Sequence, residues 1–393
     1  MNIEWRSVMS GKQELTRRRF LKKSSTGLLA ASGIFGAGMI TGRGGLLAAE
    51  KSSPTIEYRT LGRTGMQYTT LGFGSMRTSD PAVIRKAIDM GVNNIDTARV
   101  YMDGQNEAIV GQAIKGVRNK IFLTTKIKIQ DKKAMLKDAE ASLKALGTDY
   151  VDILLLHSMK SPDHIENEEA RSVLEKLKKD GKVRYVGFST HRNMAQIIRA
   201  SLKDKFFDVI LVAYNFKSDD DLRSAIADAA KANIGIIAMK TQAGGYEDKK
   251  MGNLSPHQAA LKWVLSDQNV TCAIPSMVTF DQLTENFQVM GSTLGWLDRK
   301  TLHRYSEVID REYCRLCSAC DGKCPHGVAI SDINRCIMYV DAYKDYDLAM
   351  RNYRELADAE SAARCVDCDQ CVVSCANGLD LDAKMKRAIE LFA

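Results

Sequence analysis

No cysteine occurs before Cys272 in this chain of 393 residues, and eight of the ten cysteines fall in two short runs near the C-terminus. That distribution excludes cysteine as an ordinary core residue and makes it site chemistry. The body of the chain also lacks any Lys/Arg stripe or interleaved aromatic platform. Its formal charge of +8 does not argue otherwise, because residues 1–49 hold eight Lys/Arg against two Glu and leave only about +2 for the rest. Nucleic acid is therefore excluded as a partner. No G-x-G-x-x-G follows any apolar run, which removes the fingerprint of an open, doubly wound dinucleotide fold. What remains is 45% apolar and 26% charged, ordinary for a globular protein and long enough for at least two folded units.

The basic residues at the start are concentrated in Thr16-Arg17-Arg18-Arg19-Phe20-Leu21-Lys22, followed after Lys23 by 19 uncharged residues, Ser24 to Gly42. Leu47-Ala48-Ala49 offers small residues for cleavage before Glu50. Residues 1–49 resemble a twin-arginine (Tat) export signal, which implies the translocation machinery as a partner and a destination outside the cytoplasm. That route carries proteins already folded around a cofactor. The alternative is an uncleaved membrane anchor, since 19 residues just span ~30 Å of hydrocarbon, although the glycines in the stretch weaken it.

From Thr60 to Asn286 short aliphatic runs alternate with amphipathic stretches, the pattern of a parallel sheet covered by helices. Asn94–Asp96, Ile121–Leu123, Val151–Leu156, Arg184–Phe188, Val209–Ala213, Ile234–Met239 and Thr271–Pro275 read as strands. Lys132–Leu146, Glu169–Lys179 and Pro256–Leu265 read as helices, and Ser79-Asp80-Pro81 starts another with a cap and a first-turn proline. Eight such pairs predict an α/β protein with a (β/α)8 barrel over residues 50–295, whose active site lies on the loops after the strands.

Four polar residues occupy that end: Asp96, Tyr101, Lys126 and His157. A buried lysine beside a carboxylate lowers the pKa of a nearby tyrosine from its usual ~10 and lets the phenol donate a proton to a carbonyl oxygen, which the histidine orients. Each alone has a plain structural reading, a solvated strand end or a satisfied histidine. Together, in Asp96-Thr97-Ala98-Arg99-Val100-Tyr101, Thr124-Thr125-Lys126 and Gly147-Thr148-Asp149-Tyr150-Val151-Asp152 leading to His157, they resemble the aldo-keto reductase superfamily. The resemblance runs over about residues 56–290, extended by Gly181-Lys182-Val183-Arg184, Gly187-Phe188-Ser189 and Ile274-Pro275 with Glu285-Asn286. It implies a tetrad with Tyr101 as general acid, Lys126 and Asp96 tuning it and His157 placing a carbonyl or alcohol substrate. It also implies a nicotinamide cofactor, NAD(P)H, across the barrel mouth, against Ser189, Tyr214, Asn215, Met239, Lys240, Ser276, Gln282, Glu285 and Asn286.

This cradle departs from the family's common pattern. Thr190 follows Ser189 where Asn is usual, Leu211 stands for a Gln, and Met239 for a Tyr that stacks on the nicotinamide. Ile274-Pro275-Ser276-Met277-Val278-Thr279-Phe280-Asp281-Gln282 lacks the Lys and Arg that grip a 2′-phosphate. The expectation is weak discrimination between the two dinucleotides, or preference for the one lacking that phosphate. Lys240 and Arg184 are the candidate replacement cations, and Gly244-Gly245 reads either as a phosphate cradle or as a turn.

The cysteine runs are Cys314-x2-Cys317-x2-Cys320-x3-Cys324-Pro325 and Cys365-x2-Cys368-x2-Cys371-x3-Cys375. In this spacing three cysteines wrap one cubane and the fourth points to the other cluster, so residues 296–393 resemble a ferredoxin-type domain with two 4Fe-4S clusters. Structural zinc and disulfides are the alternatives. Forty residues separate the runs, read as two helices over Ser331–Leu356, and Ala376 replaces the second proline. Cys272 and Cys336 read as buried structural thiols. The whole reads as an exported aldo-keto-reductase-type oxidoreductase carrying two clusters for electron transfer. A redox protein, quinone or flavin is implied as partner, because a cluster passes one electron and nicotinamide two. The competing reading is an electron-transfer or redox-sensing protein with a non-catalytic barrel scaffold.

Overall fold

A closed sheet organises the computed structural model, which describes residues 54–246, 255–365 and 368–392. An antiparallel hairpin, β1 (Tyr58–Thr60) and β2 (Gln67–Thr69), precedes eight parallel strands. These are β3 (Phe73–Gly74), β4 (Asn94–Asp96), β5 (Phe122–Ile127), β6 (Val151–Met159), β7 (Val183–Thr190), β8 (Val209–Ala213), β9 (Gly235–Met239) and β10 (Cys272–Ala273), each paired with the next. Bridges from Leu71 to Ala273 and from Gly74 to Ser276 join the last strand to the first, completing the (β/α)8 barrel expected from the alternating pattern.

Helices α1 (Pro81–Asp89), α2 (Gln105–Ile114), α3 (Lys132–Leu146), α4 (Glu168–Lys179), α5 (Met194–Ser201), α6 (Asp220–Lys231), α7 (Pro256–Ser266) and α8 (Phe280–Phe287) surround it. Their starts follow local chemistry: Asp80, Asp131, Asn167, Asp219, Ser255 and Thr279 each accept a first-turn backbone N–H. Strands buried on both faces read as continuous apolar runs, and their two parities diverge. Ile153, Leu155, Val209, Leu211, Ile237 and Cys272 fill the barrel with Leu61 and Tyr68, whereas Leu154, Leu156, Val186 and Phe188 meet the helices. Gly187 is required where β7 meets β8, because a Cβ there would lie 2.0 Å from the Val209 carbonyl oxygen.

The C-terminal segment adds α9 (Trp296–Ile309), α10 (Ile330–Asp341), α11 (Tyr346–Tyr353) and α12 (Leu381–Phe392). Leu302 of α9 packs on Ala259 and Ala260 of α7, and a further core gathers Tyr305, Ile309, Tyr313, Ile333, Cys336, Ile337, Tyr353 and Met385. Barrel and C-terminal segment belong to one compact unit. Cys272 and Cys336 are buried with free thiols, as expected. The twin-arginine segment, residues 1–49, lies outside the described residues, and among those described no helix is long and apolar enough to cross a membrane.

Candidate active site

The inward parity of the barrel strands carries the polar residues up to its C-terminal rim. Asp96 ends β4, Lys126 lies on β5 level with Leu155, and His157 continues the inward row of Ile153 and Leu155. A register shift between Leu156 and Met159, with Ser158 at φ 58°, bends β6 just beyond the histidine. The Lys126 ammonium donates to Asp96 Oδ1 at 2.5 Å, to the Thr97 carbonyl at 2.7 Å and to the Tyr101 phenol oxygen at 3.2 Å, which uses all three of its protons. Burial works against that charge, but Asp96 holds the ammonium above the usual lysine range.

Tyr101 is reached through a tight loop. Met102 and Asp103 both have positive φ, and Arg99 clamps the loop by donating to Glu107 at 2.5 Å and to the Gly104 carbonyl at 2.8 Å. The expected lowering of the Tyr101 pKa is not what results. Burial outweighs the pull of Lys126, with Asp96 adding to it, and the phenol is held above its usual range. Tyr101 is therefore a protonated donor, its oxygen steadied by Lys126 and its O–H free for the cavity. His157 meets the Tyr101 ring edge-on at 5.6 Å; burial, and then Lys126, hold it well below the usual histidine range, so it is neutral.

These groups face a cavity of about 670 Å³. Five buried side-chain atoms without a hydrogen-bond partner among the described residues belong to its lining: Arg77 Nε, His157 Nδ1, Thr241 Oγ1, His257 Nε2 and Arg335 Nε. Unsatisfied buried polar atoms are costly, so a wall with five of them is built for a polar guest. Of the cradle residues, Ser189, Met239, Lys240, Ser276, Gln282, Glu285 and Asn286 line the same cavity.

Tyr214 and Asn215 do not. The parity that points Leu211 into the barrel turns Tyr214 outward, where its phenol donates to Asp267 at 2.7 Å and its ring meets Trp263. Asn215 donates to the Lys240 carbonyl at 3.0 Å and to the Tyr313 oxygen at 2.8 Å, joining the rim to the C-terminal segment. Arg184 is no replacement grip either, since it lies near the start of β7 and pairs with Asp152 at 2.9 Å. Gly244 and Gly245, at φ 87° and 65°, line the cavity in a turn that their positive φ requires.

The remaining wall was not foreseen from the sequence. α10 lays Arg335 and Tyr339 over the mouth, followed by Ala342 and Tyr343. The Tyr339 oxygen accepts from Lys240 Nζ at 3.2 Å and from Arg335 Nη1 at 3.3 Å. Arg192, after β7, donates to Asp321 at 2.6 Å and Asp332 at 2.8 Å, and Arg77 donates to the Tyr343 carbonyl at 2.6 Å, fastening the cover to the barrel. The only sequence signal was an Arg and a Tyr four apart in an amphipathic helix.

The sequence profile of the Aldo/keto reductase family matches residues 65–253. A methylglyoxal reductase of Escherichia coli K12, YeaE, is 30% identical over 236 residues, which is 55% of this chain and 80% of that protein. The chain belongs to the aldo/keto reductase family. It is 29% identical over 259 residues to the methylglyoxal reductase DkgB of Escherichia coli O157:H7, covering 60% of this chain and 92% of that one. An aldo-keto reductase from Klebsiella pneumoniae in complex with NADPH superimposes with a TM-score of 0.55 at 25% identity, covering 64% of this chain and 95% of the other. The protein is thus an oxidoreductase of aldo-keto reductase type.

Beyond the matched region this family member carries eight of its ten cysteines around two further cavities. Cys314, Cys317 and Cys320 line one together with Cys375 of the second run. Cys365, Cys368 and Cys371 line the other together with Cys324 of the first run. The fourth cysteine of each run thus lines the cavity of the other run's first three. Burial, then neighbouring thiols, push Cys314 up to about 12, and burial with Asp321 and other thiols takes Cys320 to about 11. Among the described residues no three Cys, His, Asp or Glu side chains gather closely enough to hold a single ion. Four sulfurs surround each cavity without meeting at a point. α10 presents Ser331 and Asn334 to the first of them and Arg335 and Tyr339 to the barrel mouth.

Proposed function

We propose that this protein reduces a small carbonyl compound, or oxidises the matching alcohol, with a nicotinamide cofactor, and carries two 4Fe-4S clusters in residues 296–393. The observation that carries the first part is the Lys126 ammonium bridging Asp96 and the protonated Tyr101 beside a neutral His157. The unsatisfied Thr241 hydroxyl and the polar residues of the cavity suit a dinucleotide, which Ser189, Met239, Lys240, Gln242, Ser276, Gln282, Glu285 and Asn286 would hold. When bound, nicotinamide supplies the hydride for carbonyl reduction. Tyr101 gives its proton to the carbonyl oxygen, Lys126 steadies the phenolate left behind, and His157 orients the oxygen through a neutral ring nitrogen. That the relatives are methylglyoxal reductases supports a small carbonyl as substrate.

For the clusters, the support is the pair of four-cysteine cavities with exchanged fourth cysteines: thiolates are the ligands such clusters take, and the sulfurs are spread rather than focused. Cys314, Cys317, Cys320 and Cys375 would hold one, and Cys365, Cys368, Cys371 and Cys324 the other. Clusters supply single electrons, so coupling them to carbonyl chemistry calls for a flavin, a quinone or a redox protein. Export of the folded protein by the twin-arginine route rests on Arg17 and Arg18 in their sequence context.

One observation favours the reading in which the barrel is a scaffold for electron transfer or redox sensing. The Ser189 hydroxyl already accepts from Ser158 N at 2.8 Å, the Thr190 hydroxyl donates to the Met159 carbonyl at 3.0 Å, and Leu211 lies in the apolar interior. Few partners remain there for a carboxamide. Anaerobic purification, iron and sulfide analysis, and assays with NADH and NADPH on a carbonyl panel separate the two readings. About eight irons and eight sulfides per chain with carbonyl turnover are expected. Clusters without turnover would favour the scaffold, and stoichiometric zinc or about four irons would overturn the two-cluster assignment.

A further inference from the structure

Of the four tyrosines that line the barrel cavity, Tyr101 and Tyr339 each accept a hydrogen bond from a lysine, and the catalytic reading uses only the first. Tyr339 comes from α10, is 2% exposed and lines the cavity. A phenol oxygen has one proton to give and two lone pairs to receive. At Tyr339 both lone pairs are taken, by Lys240 Nζ at 3.2 Å and by Arg335 Nη1 at 3.3 Å. No acceptor for its O–H appears among the described residues, so that proton is left for whatever fills the cavity.

The surroundings are built to hold this arrangement. Arg335 is fixed by donating to Asn352 at 2.7 Å and to Asp332 at 3.1 Å, while its buried Nε has no partner among the described residues. The Tyr343 ring stacks on Tyr339 at 5.4 Å, and the Arg77 guanidinium lies 4.5 Å above Tyr343. Burial alone would make Tyr339 a weak acid, but Lys240 and then Arg335 overcome it and hold the phenol below the usual tyrosine range. Tyr101 is shifted the other way, and each phenol lies close enough for the charge of Tyr339 to be felt at Tyr101. Two donors with opposite tuning in one cavity indicate two different acceptor oxygens.

We propose that Tyr339, with Lys240 and Arg335, forms a second oxygen-binding site that selects carbonyl substrates bearing another oxygen on the neighbouring carbon: 1,2-dicarbonyls and 2-oxo acids. Tyr101 serves the oxygen at the reacting carbon, and Tyr339 donates a hydrogen bond to the second oxygen, whose partial or full negative charge Lys240 and Arg335 offset. Tyr339 and Arg335 come to this site from the C-terminal segment and Lys240 from the rim of the barrel. This inference rests on the reductase reading of the cavity.

The test uses the full-length, cluster-loaded protein and compares kcat/KM for a 1,2-dicarbonyl with that for an aldehyde of the same carbon number. Tyr339→Phe should reduce the dicarbonyl-to-aldehyde ratio tenfold or more, mainly through KM, whereas Tyr101→Phe should lower both substrates together and leave the ratio within threefold. Lys240→Met should reproduce part of the loss and Lys240→Arg should restore it, with cluster absorbance as the check on folding. Binding of oxamate, which carries adjacent oxygens, is measured in parallel by calorimetry and requires no turnover. A tenfold weaker oxamate affinity in Tyr339→Phe with no turnover by the wild type would mean that the reductase reading fails, and substrate selection with it, while the second oxygen-binding site stands. A ratio and an oxamate affinity both within threefold of wild type overturn it.

Discussion

The two halves of this molecule stabilise themselves by different means. The barrel buries apolar side chains on both faces of one closed sheet, and its few interior charges are matched, Lys126 by Asp96 and Asp152 by Arg118 and Arg184. The C-terminal segment has a smaller core, lined at its edge by six of the eight clustered cysteines, and is fastened to the barrel by charge: Arg192 to Asp321 and Asp332, Lys217 to Asp310, Arg77 to Asp345. Apolar burial needs no cofactor, whereas four converging thiols are a poor core until something binds them. On the proposed cluster reading, the order of the cover depends on its cofactor and that of the barrel does not, and residues of both line the cavity.

The sharpest way to break that contrast is to remove the proposed clusters. Chelation of the purified protein should leave the amides of β5 to β8 protected while residues 314–375 exchange at rates corresponding to several kcal/mol less local stability. Cys375→Ser should cost the cluster held by Cys314, Cys317 and Cys320, bringing iron from about eight to about four. Equal loss of protection in both regions would mean that the barrel depends on the cover for its folding.

Next in size is the effect on chemistry. Tyr101→Phe should lower the catalytic rate by ~10² or more while nucleotide affinity stays nearly constant, because the substitution removes a proton donor and little else. A rate within a few-fold of wild type would transfer the role of acid elsewhere in the cavity.

A smaller effect probes the seam. Arg192→Leu removes a largely buried guanidinium from Asp321 and Asp332 and should weaken docking of the cover by roughly 1.5–3 kcal/mol, read as hydrogen exchange in α10. The pH dependence has a definite sign. Burial raises the Asp332 carboxyl, but Arg335 and Arg192 outweigh it and hold it below the usual range. A depressed carboxyl contributes stability that is complete above its unfolded pKa of ~3.9 and is lost as pH falls through the folded value. The acid limb of cover docking should therefore be shallower in Arg192→Leu, with Arg335 preserving the remainder.

How much of this was legible in the residues follows from which distances are local. Asp96, Lys126 and His157 stand at the ends of apolar runs, so a period of two and the barrel rule bring them to one rim. Cysteine spacing is likewise local, and the exchange of Cys324 and Cys375 follows from it. Tyr214 and Asn215 went astray because the inward direction of β8 is set by Leu211, which no run of like residues reveals. The shift of Tyr101 depends on burial beneath α10, and Tyr339 itself reaches the mouth only because a helix between two cysteine runs folds back about a hundred residues after Lys240. Contacts across that separation leave no pattern along the chain.

The smallest expected effect concerns the nucleotide. A 2′-phosphate held by a Lys and an Arg gains charge-assisted hydrogen bonds of roughly 1.5–3 kcal/mol each, about tenfold or more in affinity per grip. Here Ser276 and Gln282 face the cavity instead, and the Gln282 side-chain oxygen, Oε1, already accepts from Val278 N at 2.8 Å. Neither replacement cation is free to grip a phosphate, since Arg184 pairs with Asp152 far from the rim and Lys240 is turned to Tyr339. The N-terminus of α8, capped by Thr279, still offers backbone N–H groups to an anion, but exposed Asp281 in the same turn opposes it. These effects nearly cancel, so we expect NADH and NADPH to bind within tenfold of each other, or NADH to bind more tightly. Calorimetric titration of both into the cluster-loaded protein at fixed ionic strength measures the difference directly. A preference of tenfold or more for NADPH would show that Lys240 leaves Tyr339 to grip the phosphate. In that event Lys240→Met should abolish the preference while leaving NADH affinity within a few-fold.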